Sequence, residues 1–215
     1  MKIEHGSKFV MIGDSITDMG RDRSGEATPW NPDTGFGKGY VNFLNALITS
    51  EMPERRIRII NRGISGNNVR DLKARWDRDV LELKPDWLSV CIGINDIWRQ
   101  FDTPLNGELH VNADEFEGVL DGLLASVRKG LKGLVLISPF VLEPNLEDGM
   151  RRATDSYGKI VAGLAVKHSA LWVDAQSVLE RLMEHIHPSA LAWDRIHLNS
   201  VGHMALAQAV LAELR

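Results

Sequence analysis

Five short apolar runs recur along the chain: KFVMI at 8–12, RIRII at 56–60, DWLSVCI at 86–92, GLVLIS at 133–138 and LWVDA at 171–175. Each is bounded by Gly, Pro, Asn or Asp, the punctuation of strand ends. Between them lie longer stretches of helical period. The clearest places Phe116, Val119, Leu120, Leu123, Leu124, Val127 and Leu131 on one apolar face, with Asn112 or Asp114 as its cap and its end near Gly130 or Gly133. Weaker helical patterns cover 39–50, 68–83, 152–168, 176–186 and 200–214. Strand and helix therefore alternate from end to end, which predicts a parallel sheet covered by helices on both faces. The expected architecture is α/β: a three-layer α/β/α sandwich on a five-stranded sheet. No internal repeat, low-complexity segment or linker interrupts the pattern, so residues 1–215 read as a single domain.

In such a sheet, ligands bind beyond the carboxyl ends of the strands. After the first run come Gly13, Asp14 and Ser15. After the second comes NRGISGNN with Gly63 and Gly66, and after the third GIND with Asn95 and Asp96. The last helix is preceded by WDRIHLNSVGH, holding Asp194 and His197. A serine after a strand is commonly just a helix cap. Together, however, these residues supply a full set of parts for acyl transfer from an ester. Ser15 is the nucleophile, His197 the general base, and Asp194, three residues earlier, can hold the ring N–H. Asp14 is a rival orienter, but it adjoins the nucleophile and its side chain should point away. The backbone N–H groups of Ser15 and Gly63 and the side-chain amide of Asn95 are the expected oxyanion donors. Gly63 suits a close backbone approach because it lacks a Cβ.

The blocks GDSIT, the glycine of NRGISG, GIND and DRIH stand in the order of the SGNH (GDSL) hydrolase superfamily, which the chain resembles from residue 13 to residue 197. The resemblance implies a flavodoxin-like sandwich with strand order 2-1-3-4-5. It also implies roles for Ser15, Gly63, Asn95 and His197 as the name-giving residues, with Asp194 completing the triad. Longer stretches, GISGNNVRDLKARWDRDVLELKPDW, GINDIWRQ, MRRATDSYG and ALAWDRIHLNSVGHMALA, look like the small intracellular acetylxylan esterases of that superfamily. That likeness implies a cofactor-independent serine esterase that removes acetyl groups from xylo-oligosaccharides. Leu198 departs from the pattern, since a proline is expected after the histidine in the closest relatives. The competing readings are a lysophospholipase or broad short-chain esterase, and a non-catalytic flavodoxin-like binding module in which Ser15 only caps a helix.

Composition trims the alternatives. The formal charge is -4, from 25 Lys+Arg against 29 Asp+Glu, with no basic stripe, so nucleic acid is not an expected partner. The lone Cys91 precludes an internal disulfide and falls within a buried strand, where it reads as core and not as a nucleophile. No run approaches the ~18 apolar residues of a membrane span, and the N-terminus lacks a signal-type apolar stretch. A cytoplasmic protein without a membrane partner is expected.

The remaining candidates have bland explanations to overcome. A metal held by Asp14, Asp18, Asp194 and His197 is disfavoured, because no second His or Cys pair has ligand spacing. Gly63 and Gly66 lack the context of a phosphate loop. Of the histidines, His203 reads as packing, and His168, His185 and His187 as surface or helix-end residues. The candidate substrate contacts are Asp14, Trp98, Trp193 and Arg62, with Arg99 able either to touch substrate or to pair with nearby acids. Trp30 lies in a long polar loop, 21–39, that can shape the site. Exposed aromatic residues in the insertions make a homo-oligomer an expectation as well.

Overall fold

The computed structural model describes residues 1–23 and 35–215. Its sheet has the order β2-β1-β3-β4-β5, all parallel, with β1 at Lys8–Gly13, β2 at Arg58–Gly63, β3 at Trp87–Cys91, β4 at Gly133–Ile137 and β5 at Leu171–Val173. The helices are α1 Ser15–Asp18, α2 Tyr40–Glu51, α3 Val69–Trp76, α4 Ile94–Asp102, α5 Ala113–Arg128, α6 Gly149–Lys167, α7 Ala175–Met183 and α8 Ser200–Leu214. They cover both faces: α2, α8 and α7 pack together on one, and α3, α5 and α6 on the other. None of the described helices is long and apolar enough to cross a membrane.

Every residue of β3 and β4 is buried, as are Phe9 to Gly13 of β1. These strands are covered from both sides, so each position requires an apolar or satisfied side chain. Cys91 is part of this core, and burial pushes its thiol pKa well above the usual value.

Strand β2 begins later than its apolar run and continues through Asn61 and Arg62. Arg56, at φ 51°, sits in the left-handed region and delays the extended run. Asn61 remains inside the strand because its amide is fully used: Nδ2 donates to the carbonyls of Thr17 and Phe36 at 2.6 and 2.8 Å, and Oδ1 accepts from Gly63 N–H at 2.8 Å. At the opposite edge, β5 stops at Val173 because Asp174 caps α7 by accepting from Ser177 N–H. The expected helix over 68–83 is α3, continued by a wider π-type turn at Asp77–Leu81. Helix α5 starts on the Asn112 cap, as its pattern indicates.

Three registers place the site. Gly13 lies opposite Gly63 on one side and Cys91 on the other, so β1, β2 and β3 end level with one another. The residues that follow them emerge together. Beneath them runs the buried guanidinium of Arg75, donating to the carbonyls of Gly13 and Arg62 at 2.8 and 2.7 Å and pairing with Asp79 at 2.9 Å. It adds a side-chain donor to each of these strand-end carbonyls, that of Gly13 also accepting from Ile64 N–H at 3.0 Å.

Candidate active site

Ser15 opens α1 without capping it. The cap is Asp14, whose Oδ1 accepts from Ile16 N–H at 2.9 Å. That division of labour frees the serine hydroxyl, which lies 2.8 Å from His197 Nε2. Across the ring, His197 Nδ1 is 2.5 Å from Asp194 Oδ2.

The second oxygen of Asp194 accepts from the backbone N–H groups of Ile196 and His197 at 3.0 and 2.8 Å. The turn is closed by Arg195 at φ 70°, whose carbonyl accepts from Leu142 N–H and whose side chain pairs with Glu143. Burial alone would raise the Asp194 pKa. The hydrogen bonds from the His197 ring and the two backbone donors outweigh it, and the carboxyl is held below its usual range. An ionised carboxylate only accepts, so the ring proton sits on Nδ1 and Nε2 is left bare toward Ser15.

These groups open into a cleft of about 360 Å³ lined by Ser15, Met19, Gly20, Ser65, Gly66, Asn95, Trp98, Arg99 and His197. The Trp98 ring lies 6.1 Å from the His197 ring, centroid to centroid. Asn95, in the first turn of α4, reaches the cleft because Gly93, at φ 127°, swings the chain sharply out of β3.

Gly63 does not occupy the place expected of it. Its N–H is taken by Asn61 Oδ1 and its carbonyl by Arg21 Nε at 2.8 Å. Its missing Cβ makes room for protein rather than ligand, because a Cβ there would stand 2.2 Å from the backbone nitrogen of Asp18. The glycine that faces the cleft is Gly66, three residues on, at φ 84° with open space around it. Among the described residues nothing accepts from its N–H. The N–H of Ser15, in the first turn of α1, has no intrahelical acceptor either.

Three proposed substrate contacts lie outside the cleft lining. Asp14 is buried and occupied as a cap; burial, offset by its bond from Ile16 N–H and reinforced by Asp96, raises its pKa to about 7. Arg62 leaves the cleft wall, since its position on β2 places it away from the lining residues. Trp193 is 85% exposed and is not a lining residue, although it adjoins Asp194. Trp98 does line the cleft. Trp30 lies outside the described residues, as does most of the loop around it.

Leu198 is buried and packs on Gly202 at the start of α8, leaving the His197 contacts intact. His203 is buried too, accepting from Tyr40 N–H through Nδ1 at 3.2 Å. His168 caps α6 and bonds Asp121 at 2.8 Å.

Asp18, weighed from sequence only as a metal ligand, has a place in the site that its residue type alone does not reveal. One helical turn beyond Ser15, its carboxylate accepts from Ser65 N–H, Ser65 Oγ and Arg23 at 2.9, 2.8 and 2.8 Å. The i, i+3 spacing from Ser15 was the available signal.

The chain matches the GDSL-like lipase/acylhydrolase family over residues 11–205. It is 47% identical to an acetylxylan esterase from Geobacillus stearothermophilus over all 215 residues, spanning 96% of that protein. The structure of that organism's Axe2, an acetylxylan esterase, superposes with a TM-score of 0.95 at 46% identity, covering 100% of this chain and 96% of Axe2. Further Axe2 structures are of catalytic mutants in which a serine, a histidine or an aspartate is replaced by alanine. An α/β hydrolase from the metagenome of Lake Arreo, Spain, superposes at 0.96 with 49% identity, over 100% of this chain and 97% of that one. With the relay at the sheet's carboxyl edge and a family match across most of its length, the chain belongs to the GDSL-like lipase/acylhydrolase family and is a carboxylic ester hydrolase.

Proposed function

We propose that the chain is a serine acetylesterase acting on acetylated carbohydrate, with acetylated xylo-oligosaccharides as the leading substrate class. The observation that carries this reading is the unbroken relay from Ser15 Oγ through the His197 ring to Asp194, at 2.8 and 2.5 Å.

In the first half-reaction the Ser15 oxygen bonds to the acetyl carbonyl carbon while its proton passes to His197 Nε2. The carbonyl oxygen becomes an oxyanion. Its donors are the N–H groups of Ser15 and Gly66 and the Asn95 amide, so Gly66 takes the part first given to Gly63. Collapse breaks the bond to the sugar oxygen, which leaves with the proton from His197, and the acetyl group remains on Ser15. Water then gives its proton to His197, attacks the acetyl-enzyme, and releases acetate as Ser15 recovers its proton. Throughout, ionised Asp194 stabilises the imidazolium and holds the ring in place. Trp98 presents an aromatic surface beside the base, suited to packing against a sugar face.

Acetate release from acetylated xylo-oligosaccharides, compared between wild type and Ser15→Ala in the presence of chelator, tests the reading. Release that persists in chelator and vanishes in the variant is the expected outcome. If neither protein releases acetate, a series of simple esters of increasing acyl length distinguishes a lysophospholipase-like or general esterase from a protein that only binds.

A further inference from the structure

Of the three oxyanion donors in this reading, only Asn95 is a side chain. Its oxygen and nitrogen have nearly the same shape, so a half-turn of the amide would place an acceptor where a donor is needed. A carbonyl oxygen facing an oxyanion would repel it. Something must fix the amide.

The two polar neighbours of Asn95 each have one possible role. Asn95 Nδ2 lies 3.0 Å from the carbonyl oxygen of Asn67, which can only accept. Asn95 Oδ1 lies 3.2 Å from Arg99 Nη2, and a guanidinium can only donate. The amide therefore has one orientation consistent with both partners, and its second Nδ2 hydrogen is left for the cleft. Turning it over would set Oδ1 against a carbonyl and the NH₂ group against a cation.

Arg99 is itself secured. It sits one turn along α4 from Asn95, pairs with Asp102 on the same helix, and lies with Cζ 5.2 Å from the centroid of Trp98. The positive charge of Arg99 beside Oδ1 also draws electron density from the amide and strengthens its N–H as a donor.

We propose that Arg99 is a positioning residue of the oxyanion hole, acting through the Asn95 amide rather than on the substrate. This rests on the serine-esterase reading above.

The test is a double-mutant cycle on 4-nitrophenyl acetate using Arg99→Met, Asn95→Ala and the combined variant. Thermal unfolding of each protein is followed alongside. Arg99→Met is expected to lower kcat about 10- to 100-fold with KM within about twofold, a fraction of the loss from removing a whole donor. In the Asn95→Ala background the same change should cost almost nothing further, and Arg99→Lys should recover part of kcat. A loss of equal size in both backgrounds, a rise confined to KM, or an unchanged kcat would each overturn the proposal. Should Arg99→Met fail to fold, Arg99→Gln, which shortens the side chain and removes the fork, takes its place in the cycle. Failure of the serine-esterase reading looks different: wild type would then be no faster than Ser15→Ala.

Discussion

The carboxylate of Asp18 accepts from both the backbone N–H and the hydroxyl of Ser65, tying the helix that opens with Ser15 to the turn that carries Gly66. The two backbone N–H groups proposed as oxyanion donors, those of Ser15 and Gly66, are thereby held in register by one buried acid. Asp18→Ala should lower kcat at least about tenfold and cost about 1–3 kcal/mol of stability from the donors left unpaired. Burial raises the Asp18 pKa, but the bonds from Arg23 and Ser65 outweigh it and hold the carboxyl below its usual range. Its contribution to stability is therefore full above the ordinary carboxylate range and is lost as the pH falls through the lowered value. Denaturant melts of wild type and variant should converge in that acidic window.

The two glycines of the second block should fail in different ways. Gly63→Ala drives a methyl group into the Asp18 backbone at 2.2 Å, so a lower melting temperature or insoluble protein is expected. Gly66→Ala meets open space but carries φ 84°. The variant should fold with a smaller loss of stability, about 1–2 kcal/mol for a left-handed alanine, and lose chiefly kcat. Melting temperatures paired with ester kinetics separate the two. A folded, active Gly63→Ala beside an unaffected Gly66→Ala would contradict the assignment of roles.

Replacing Asp194 with Asn removes the acceptor that fixes the His197 tautomer. The amide NH₂ can then donate to Nδ1, which moves the ring proton to Nε2 and blocks it from taking the serine proton. A fall in kcat of about 10⁴-fold, with little change in KM, is expected from tautomer loss in a triad of this kind. Steady-state kinetics on a small acetyl ester measures it.

His203 and Asp14 pull the pH dependence of stability in opposite directions. Burial, aided by the nearby His197, lowers the His203 pKa to about 4, against an ordinary value near 6.5. Between those limits the unfolded chain binds more protons, so this residue makes stability rise with pH. Asp14 has the opposite sign: with its pKa raised to about 7, the folded state holds the extra proton from about pH 4 upward, and stability falls as pH rises through that range. Relative to wild type, His203→Asn should flatten the first trend, and Asp14→Asn, which can still accept from Ile16 N–H, should flatten the second. Unfolding free energies at half-unit pH steps distinguish them.

The hydrogen-bonded grouping of Ser15, His197 and Asp194 was legible because its members are chemically distinctive and stand at the ends of elements. The central strands were legible because burial on both faces leaves an uninterrupted apolar run, as in β3 and β4. Strand β2 was harder, since what makes Asn61 acceptable there is a pair of carbonyls supplied by Thr17 and Phe36, far along the chain. Helix α4 was hidden by its abrupt start at Gly93. The sequence points to Gly63 for the oxyanion role and not to Gly66, and only the contact of the first with α1 and of the second with the cleft reverses that choice. The same holds for the arginines: Arg62 stood beside the motif, yet Arg75 and Arg99 reach the groups that matter.

Ser15 and His197 are 182 residues apart in the chain, yet the hydroxyl and the imidazole meet at hydrogen-bond distance. Contacts of such separation carry a large loop-closure cost and tend to make folding slow. Ester turnover can begin only once the chain segment just before the last helix has docked against the first strand's end. Regain of activity after dilution from denaturant is thus a reporter of the final closure of the fold, and it should lag behind recovery of helical signal whenever the two ends of the chain come together late.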